Sequence, residues 1–387
     1  MNVFRLRIWL LAAALQAPLS ARAISPESDK LILEGLSAAY SMDFERAAAR
    51  FLEVDRNEPA HPAGPFFLAS LHWLEYSQNA DVPGTVDALE PRFNEIMDQA
   101  LARAKKMYDQ NHKDPEANFY MGATYGMKGR WLMLKRKWIR AARFGYKGYK
   151  YFKRTVELDP EYYDAYLGMG MYDYYSDTLP TILKFAAGLI VRGDKRRGLR
   201  YIETTLERGH YSVTEAKLFL IGILTAYEKR PAQALKIVQE LRLEKPENLF
   251  FVLLEVAVRI DAKDWVGAMA FGEFLAPRAR AAAYAQPHAS LFDLYLAEAY
   301  LGAQDYARAV STLNRCIDQA PEPRKATVTH CHLRRAQAYD LLGRREDARK
   351  EYAFVKDRPD FFDSQDKAKR GLKSPAAYED VLNQIQE

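Results

Sequence analysis

The chain of 387 residues is 49% hydrophobic and 28% charged, with 56 Lys and Arg against 51 Asp and Glu. These values exclude a disordered or collagen-like polymer and a chain that crosses a membrane many times. The length suits two or three compact domains or one repeat array.

Residues 1–23 place Arg5 and Arg7 before a mostly apolar run from Ile8 to Leu19, then Ala21-Arg22-Ala23. A cationic start, a short apolar core and a small-x-small end form the pattern of a secretory signal peptide, set apart from fold reasoning. The apolar run is about a dozen residues, short of the roughly 20 needed to span a bilayer. The expectation is an exported protein of the bacterial periplasm, at most peripheral to the envelope, with no transmembrane segment in the mature chain. The absence of any N-x-S/T sequon agrees with a bacterial address. Without the three leading arginines the remaining chain has 53 basic and 51 acidic residues, a net of +2. Global charge then gives no argument for nucleic acid.

From residue 25 onward the apolar spacing is helical, and the alternation expected of sheets is missing. Ser25-Pro26 opens the first helix, and Phe44, Ala47, Phe51 and Pro59 mark the end of a first pair. A loose linker at Asp81–Thr85 precedes a long helix from Pro91 to Met107. Asp114-Pro115-Glu116 and Asp159-Pro160-Glu161 each read as an Asp N-cap followed by Pro at the first helical position. Met121-Gly122 and Tyr125 form one first helix and Leu167-Gly168 the next. Extra residues lie in Trp131–Tyr146 and Tyr174–Arg192, the latter including an apolar run Leu179–Val191. Ser212 with Glu215 reads as a capping box. Further on come Gly222, Pro231, Ala234, Val238, Leu241 and Pro246, then Val256, Trp265, Ala268, Gly272 and Leu275. After an irregular join at Pro277–Pro287 come Leu296-Ala297, Tyr300, Tyr306, Ala309, Leu313, Cys316 and Pro321. Ala336, Tyr339, Gly343, Ala348 and Tyr352 repeat that spacing, and Ser374-Pro375 opens a last helix.

The recurring order of small residue, aromatic, turn, aromatic, Ala and Pro resembles the tetratricopeptide repeat (TPR) family, whose unit is about 34 residues in two antiparallel helices. The resemblance covers most of the chain after residue 23. It implies an all-α, superhelical array of antiparallel helix pairs, a TPR-like α-solenoid with inserted helices in the middle repeats. The expected division is a signal peptide over 1–23, N-terminal helical repeats over 24–110 and elaborated repeats with basic and apolar inserts over 111–211. Further repeats follow over 212–276, the irregular join over 277–289, more repeats over 290–360 and a C-terminal capping region over 361–387. Cys316 would fall late in one second helix and Cys331 early in the next first helix. Two readings stand there: a disulfide, or two buried thiols acting as small apolar spacers.

Three surfaces are candidates for function. Lys128 to Arg154 carries eleven Lys and Arg with no acid between them, threaded by Trp131, Leu134, Trp138, Ile139 and Phe144. One reading is a long helix with an aromatic core face and a solvated basic face. The other is contact with an anion or an anionic membrane through Lys135, Arg136, Lys137, Arg140 and Arg143. The second surface is a tyrosine cluster. The family resemblance puts Tyr162, Met169 and Tyr172 on the groove side, with Phe119 before them and Phe219 and Tyr227 after. The third is the apolar insert Leu179–Val191, read as a core helix or a cover over the groove.

No H-E-x-x-H, G-x-S-x-G or P-loop pattern occurs, and His330-Cys331-His332 would point its imidazoles apart on one helix. Asp173 and Asp177 are a conceivable carboxylate pair that nothing else in the sequence selects. The expectation is a protein that is not an enzyme, with no catalytic, cofactor or metal residues and no cofactor. The leading functional reading is an exported TPR-type scaffold or adaptor that binds a protein or peptide through its concave surface. The alternatives are a carrier for a small molecule or lipid in a pocket formed by the tyrosines and the apolar insert, and a structural component of the envelope.

Overall fold

The computed structural model describes residues 24–78, 84–178, 193–283, 289–319 and 325–386. The leader at 1–23, the apolar insert Leu179–Val191 and residues 284–287 of the irregular join lie outside them.

All regular structure among the described residues is helical. Among the described residues sixteen helices form eight pairs: α1 (Pro26–Tyr40) with α2 (Phe44–Asn57), α3 (Ala63–Gln78) with α4 (Thr85–Gln110), α5 (Pro115–Leu134) with α6 (Trp138–Leu158), and α7 (Asp164–Thr178) with α8 (Lys195–Arg208). The fifth pair is α9 (Val213–Gly222), extended by a wider turn over Ile223–Tyr227, with α10 (Pro231–Glu244). Then come α11 (Leu249–Asp261) with α12 (Trp265–Ala283), α13 (Ala289–Gly302) with α14 (Tyr306–Gln319), and α15 (Lys325–Leu341) with α16 (Arg345–Lys356). Two short helices, α17 (Ser364–Lys373) and α18 (Tyr378–Ile385), end the chain. Within each pair the helices pack on each other, and first helices also touch first helices of adjacent pairs. This is a TPR-like helix-pair solenoid.

Helix starts follow local chemistry. Ser25, Asp43, Asp114, Asp194 and Asn248 each accept a backbone N–H with the side chain, satisfying donors that a first turn leaves unpaired. The pairs close because one large ring on a second helix enters a slot on the neighbouring first helices. Phe152 of α6 is the clearest case: a Cβ on Gly168 of α7 would lie 2.1 Å from its ring, so only glycine admits the contact. Phe51 of α2 meets Gly35 of α1 in the same way, at 2.4 Å. Cys316 of α14 and Cys331 of α15 are both fully buried and joined as a disulfide, with Cα atoms 6.4 Å apart.

Several local expectations are corrected. The basic stretch is not one long helix: it turns at 135–137, where Arg136 takes φ 54°, and becomes the antiparallel ends of α5 and α6. The extra residues of Trp131–Tyr146 therefore lengthen both members of a pair to 20 and 21 residues instead of adding a helix. Asp159 ends α6 and its carboxylate holds the Glu161 N–H in a turn (2.9 Å), while α7 starts only at Asp164. Residues 277–283, read as part of an irregular join, continue α12. The last helix starts at Tyr378, three residues beyond Pro375.

The array also closes on itself. The first helix returns against the fifth and sixth pairs. Asn248 Nδ2 donates to the Tyr40 carbonyl at 2.7 Å, Lys245 Nζ to Ser37 Oγ at 2.6 Å, and Tyr40 OH to Glu215 Oε2 at 3.2 Å. Asp29 takes His210 Nε2 at 2.7 Å and the Tyr211 hydroxyl. The Tyr211 ring stands edge-on to Phe67 of α3 at 5.4 Å. The bonds made by α1 span 175 to 208 residues of sequence. They turn the concave side of the first five pairs from an open groove into a ring.

Candidate binding chamber

Inside that ring lies a cavity of about 850 Å³. Its wall is built by the inward faces of α1, α3, α5, α6 and α7, and by the start of α9. Leu36, Phe66, Phe67, Trp73, Phe119, Met127, Tyr149, Phe152, Leu167, Met171, Tyr172 and Tyr175 supply most of it. Small residues at Ala123, Gly126, Ala142 and Gly145 leave the space that these rings do not fill. Such a volume lies within the usual range of small-molecule sites, and apolar walls with a few placed polar groups are their usual composition.

Two charged features interrupt the apolar wall: the Asp164 carboxylate, which accepts the backbone N–H groups of His210, Tyr211 and Ser212, and one ion pair. Arg130 Nη1 donates to Glu215 Oε1 at 2.8 Å, and Tyr40 OH donates to the other oxygen of the same carboxylate. The Arg130 guanidinium also lies 4.0 Å from the centre of the Trp73 ring and 4.9 Å from that of Phe219. Ring faces attract the cation and reduce its need for water. Burial, and then the Glu215 charge, push the Tyr40 phenol well above its usual range, so it remains a donor. Burial also pushes the phenols of Tyr172 and Tyr175 up to about 12. The chamber therefore offers neutral phenols and one compensated ion pair.

The residues expected along a groove divide. Phe119, Tyr172 and Tyr227 line the chamber. Tyr162 and Met169 pack into the surrounding core, Tyr162 with its ring 4.8 Å from Phe119. Phe219 stands behind Arg130 and lines a smaller adjoining cavity of about 270 Å³. Of the five basic residues singled out, Lys135 is engaged by Glu90 and by Asp87 (3.0 Å) of α4. Arg136, Lys137, Arg140 and Arg143 are exposed and have no ion-pair partner among the described residues.

Other suspected chemistry resolves into structure. Both Asp173 oxygens accept from Arg197, at 2.6 and 2.8 Å, and Asp177 holds the Lys195 N–H at 3.2 Å. His330 faces the Phe361 carbonyl at 3.2 Å, while His332 pairs with Glu351 at 2.6 Å. Among the described residues no group of three or more His, Cys, Asp or Glu is placed to hold a metal ion, and no helix is long and apolar enough to cross a membrane. The key residue that sequence reasoning misassigned is Glu215. Ser212 makes no side-chain cap bond, and the Glu215 carboxylate turns instead to Arg130 and Tyr40. Nothing near residue 215 signals this, because its partners are 85 and 175 positions away.

No family model matches the chain, and no curated protein matches it. Among solved structures it is similar to a tetratricopeptide repeat protein from Parabacteroides merdae, at 13% identity over 90% of this chain and 98% of that one, with a TM-score of 0.26. It is similar to the Cut9–Hcn1 hetero-tetramer of the APC/C at 13% identity, covering 93% and 71%, with a TM-score of 0.30. For yeast Tom70 the values are 11%, 90% and 88%, with a TM-score of 0.26. Likenesses this distant leave the function to the site itself. On its own helix pairing, the chain is an all-α repeat protein of TPR-like architecture.

Proposed function

We propose that the protein is a non-enzymatic binding scaffold whose principal seat is the ring-enclosed chamber, and that its ligand is a small apolar or lipid-like molecule. One observation carries this reading: the cavity of about 850 Å³ has an apolar, largely aromatic wall and a single compensated ion pair. Removing an apolar ligand from water favours entry at roughly 25 cal/mol for each Å² it buries. A polar end on the ligand has one natural neighbour, the Arg130–Glu215–Tyr40 station.

Export belongs with this proposal. It is supported by the leader-like residues 1–23 and by the buried Cys316–Cys331 disulfide, a bond typical of oxidising compartments.

A second reading, a protein or peptide adaptor, is favoured by α18. This amphipathic helix lies against α13, with Val381 fully buried. The C-terminal repeats thus already seat one helix in the manner of helix-in-groove recognition.

The test is a fluorescence titration with N-phenyl-1-naphthylamine, a neutral apolar dye. The wild-type chain should bind it with enhanced emission. Gly126→Leu should weaken binding at least tenfold, because its side chain would occupy the chamber. A Cβ at Gly126 meets only Phe152, at 3.8 Å, and leucine is the better helix former, so the fold should survive. Equal binding by both proteins would remove the chamber from the account.

A further inference from the structure

The mouth of the chamber coincides with the turn between α5 and α6. Met133, Trp138 and Ile139 line the chamber and are at the same time 47%, 53% and 45% exposed. Three large apolar side chains left in water at one turn are unusual on a surface that needs no partner. Beside them on the same turn and on the first turns of α6 stand Arg136, Lys137, Arg140 and Arg143, all exposed and all without an ion-pair partner among the described residues. Their neighbours behave differently. Lys128 is engaged by Asp98, Arg130 by Glu215 and Lys135 by Glu90 and Asp87. Nearby acids thus compensate these three cations and leave the tip itself positive.

From this juxtaposition we infer that the α5–α6 tip docks on a bilayer containing anionic lipid and brings the chamber mouth to the membrane surface. Trp138 takes the interfacial position that indole favours, with Met133 and Ile139 reaching the acyl boundary. The four free cations lie at headgroup level, each contributing attraction that salt screens. A molecule leaving the bilayer then reaches the aromatic wall without crossing water. The docking stands on the tip alone; only the identity of what enters rests on the chamber reading above. An acidic protein would satisfy the cations equally well. It would not need an exposed apolar trio continuous with a cavity, which is why the bilayer is the occupant assigned.

The test is cosedimentation of the full chain with phosphatidylcholine vesicles and with mixed phosphatidylcholine–phosphatidylglycerol vesicles. The wild type should bind the anionic vesicles, lose binding as salt rises, and ignore the neutral ones. Lys137→Gln with Arg140→Gln should weaken binding roughly 30-fold, from about one kcal/mol for each cation near the surface. The fluorescence difference between wild type and Trp138→Phe isolates this indole. It should shift to the blue on anionic vesicles and be quenched by lipids brominated on the acyl chain. Three results would overturn the inference: no vesicle binding by the wild type, equal binding to neutral vesicles, or charge-dependent binding without quenching of Trp138. Binding to polyglutamate with no binding to vesicles would likewise overturn it and assign the tip to an acidic protein. The variant with Lys137→Gln and Arg140→Gln, neither of which lines the chamber, should retain the dye titration and the thermal midpoint. A wild type that binds the dye and ignores anionic vesicles would remove the docking alone, and one that binds the vesicles and not the dye would remove the chamber alone.

Discussion

The two halves of the array use the same helix pair and treat its inner face in opposite ways. In the first five pairs the first helices present rings set among small residues, and the ring closed by α1 encloses a hollow. In the last two pairs the inner face is occupied. Arg334 of α15 holds Glu298 of α13 at 2.7 Å and donates to the Gln384 carbonyl of α18 at 2.8 Å. Gln337 donates to the Gln384 side chain at 2.7 Å, and Tyr378 donates to the Gly302 carbonyl at 2.6 Å. Asp293 is held by Arg315 at 2.7 Å. Fixed polar pairs demand fixed partners, since an unpaired buried group is costly. Rings and glycines make no such demand. One scaffold therefore yields a self-satisfied half and a half with room for a guest.

This contrast can be broken most severely at α18. A chain ending at Ala377 loses the burial of Val381 and Leu382 and strands the amides that face Gln384. Burying each such apolar side chain is worth about 1.5–3 kcal/mol, so a loss of about 3–6 kcal/mol is expected in chemical denaturation. The C-terminal face should then bind an apolar dye that it excludes in the intact protein. Replacing both Cys316 and Cys331 with Ala removes a bridge across 15 residues in the same half. The expected cost is about 3 kcal/mol, read as a lower denaturation midpoint under oxidising conditions and not under reducing ones.

The N-terminal half is probed at the Arg130–Glu215–Tyr40 station. Glu215→Ala leaves Arg130 without its carboxylate and Tyr40 without its acceptor, at a cost of about 1–3 kcal/mol. Glu215→Gln, which keeps an acceptor, should cost less; equal costs would deny that the carboxylate matters. An effect of similar size comes from pH. Burial first, and then the Arg334 charge, lower the His330 pKa from 6.5 to about 4 in the folded protein. The unfolded chain then binds the extra proton between these values. Stability is full above about pH 6.5 and falls as the pH drops toward 4, by roughly 1–3 kcal/mol. His330→Gln should flatten that part of the stability profile.

The helix pairs were legible because their causes are local. Glycine against a ring, Ser25 and Asp114 before proline, and Ala309 within a helical period all act within one unit or its neighbour. Breaks in the pattern were harder. The turn at 135–137 contains no glycine or proline, only Arg136 in a left-handed conformation, so nothing in the basic run announces it. Its partners are also remote: Lys135 meets acids of α4 that lie 45 and 48 positions earlier. The chamber was legible in part. Phe119, Tyr172 and Tyr227 line it, whereas Tyr40, Trp73 and Glu215 enter only because α1 meets α9, a contact set by the pitch accumulated over three intervening pairs. Small rotations between pairs add up over that distance, and no short motif encodes their sum.

The central claim is that the hollow half holds a small apolar guest. Native mass spectrometry of the full chain, purified without detergent from the cells that make it, tests this most directly. The account predicts a bound mass of some hundreds of daltons on the wild type that is absent from Gly126→Leu. A bare mass for both proteins, or a co-purifying polypeptide retained equally by both, would contradict it.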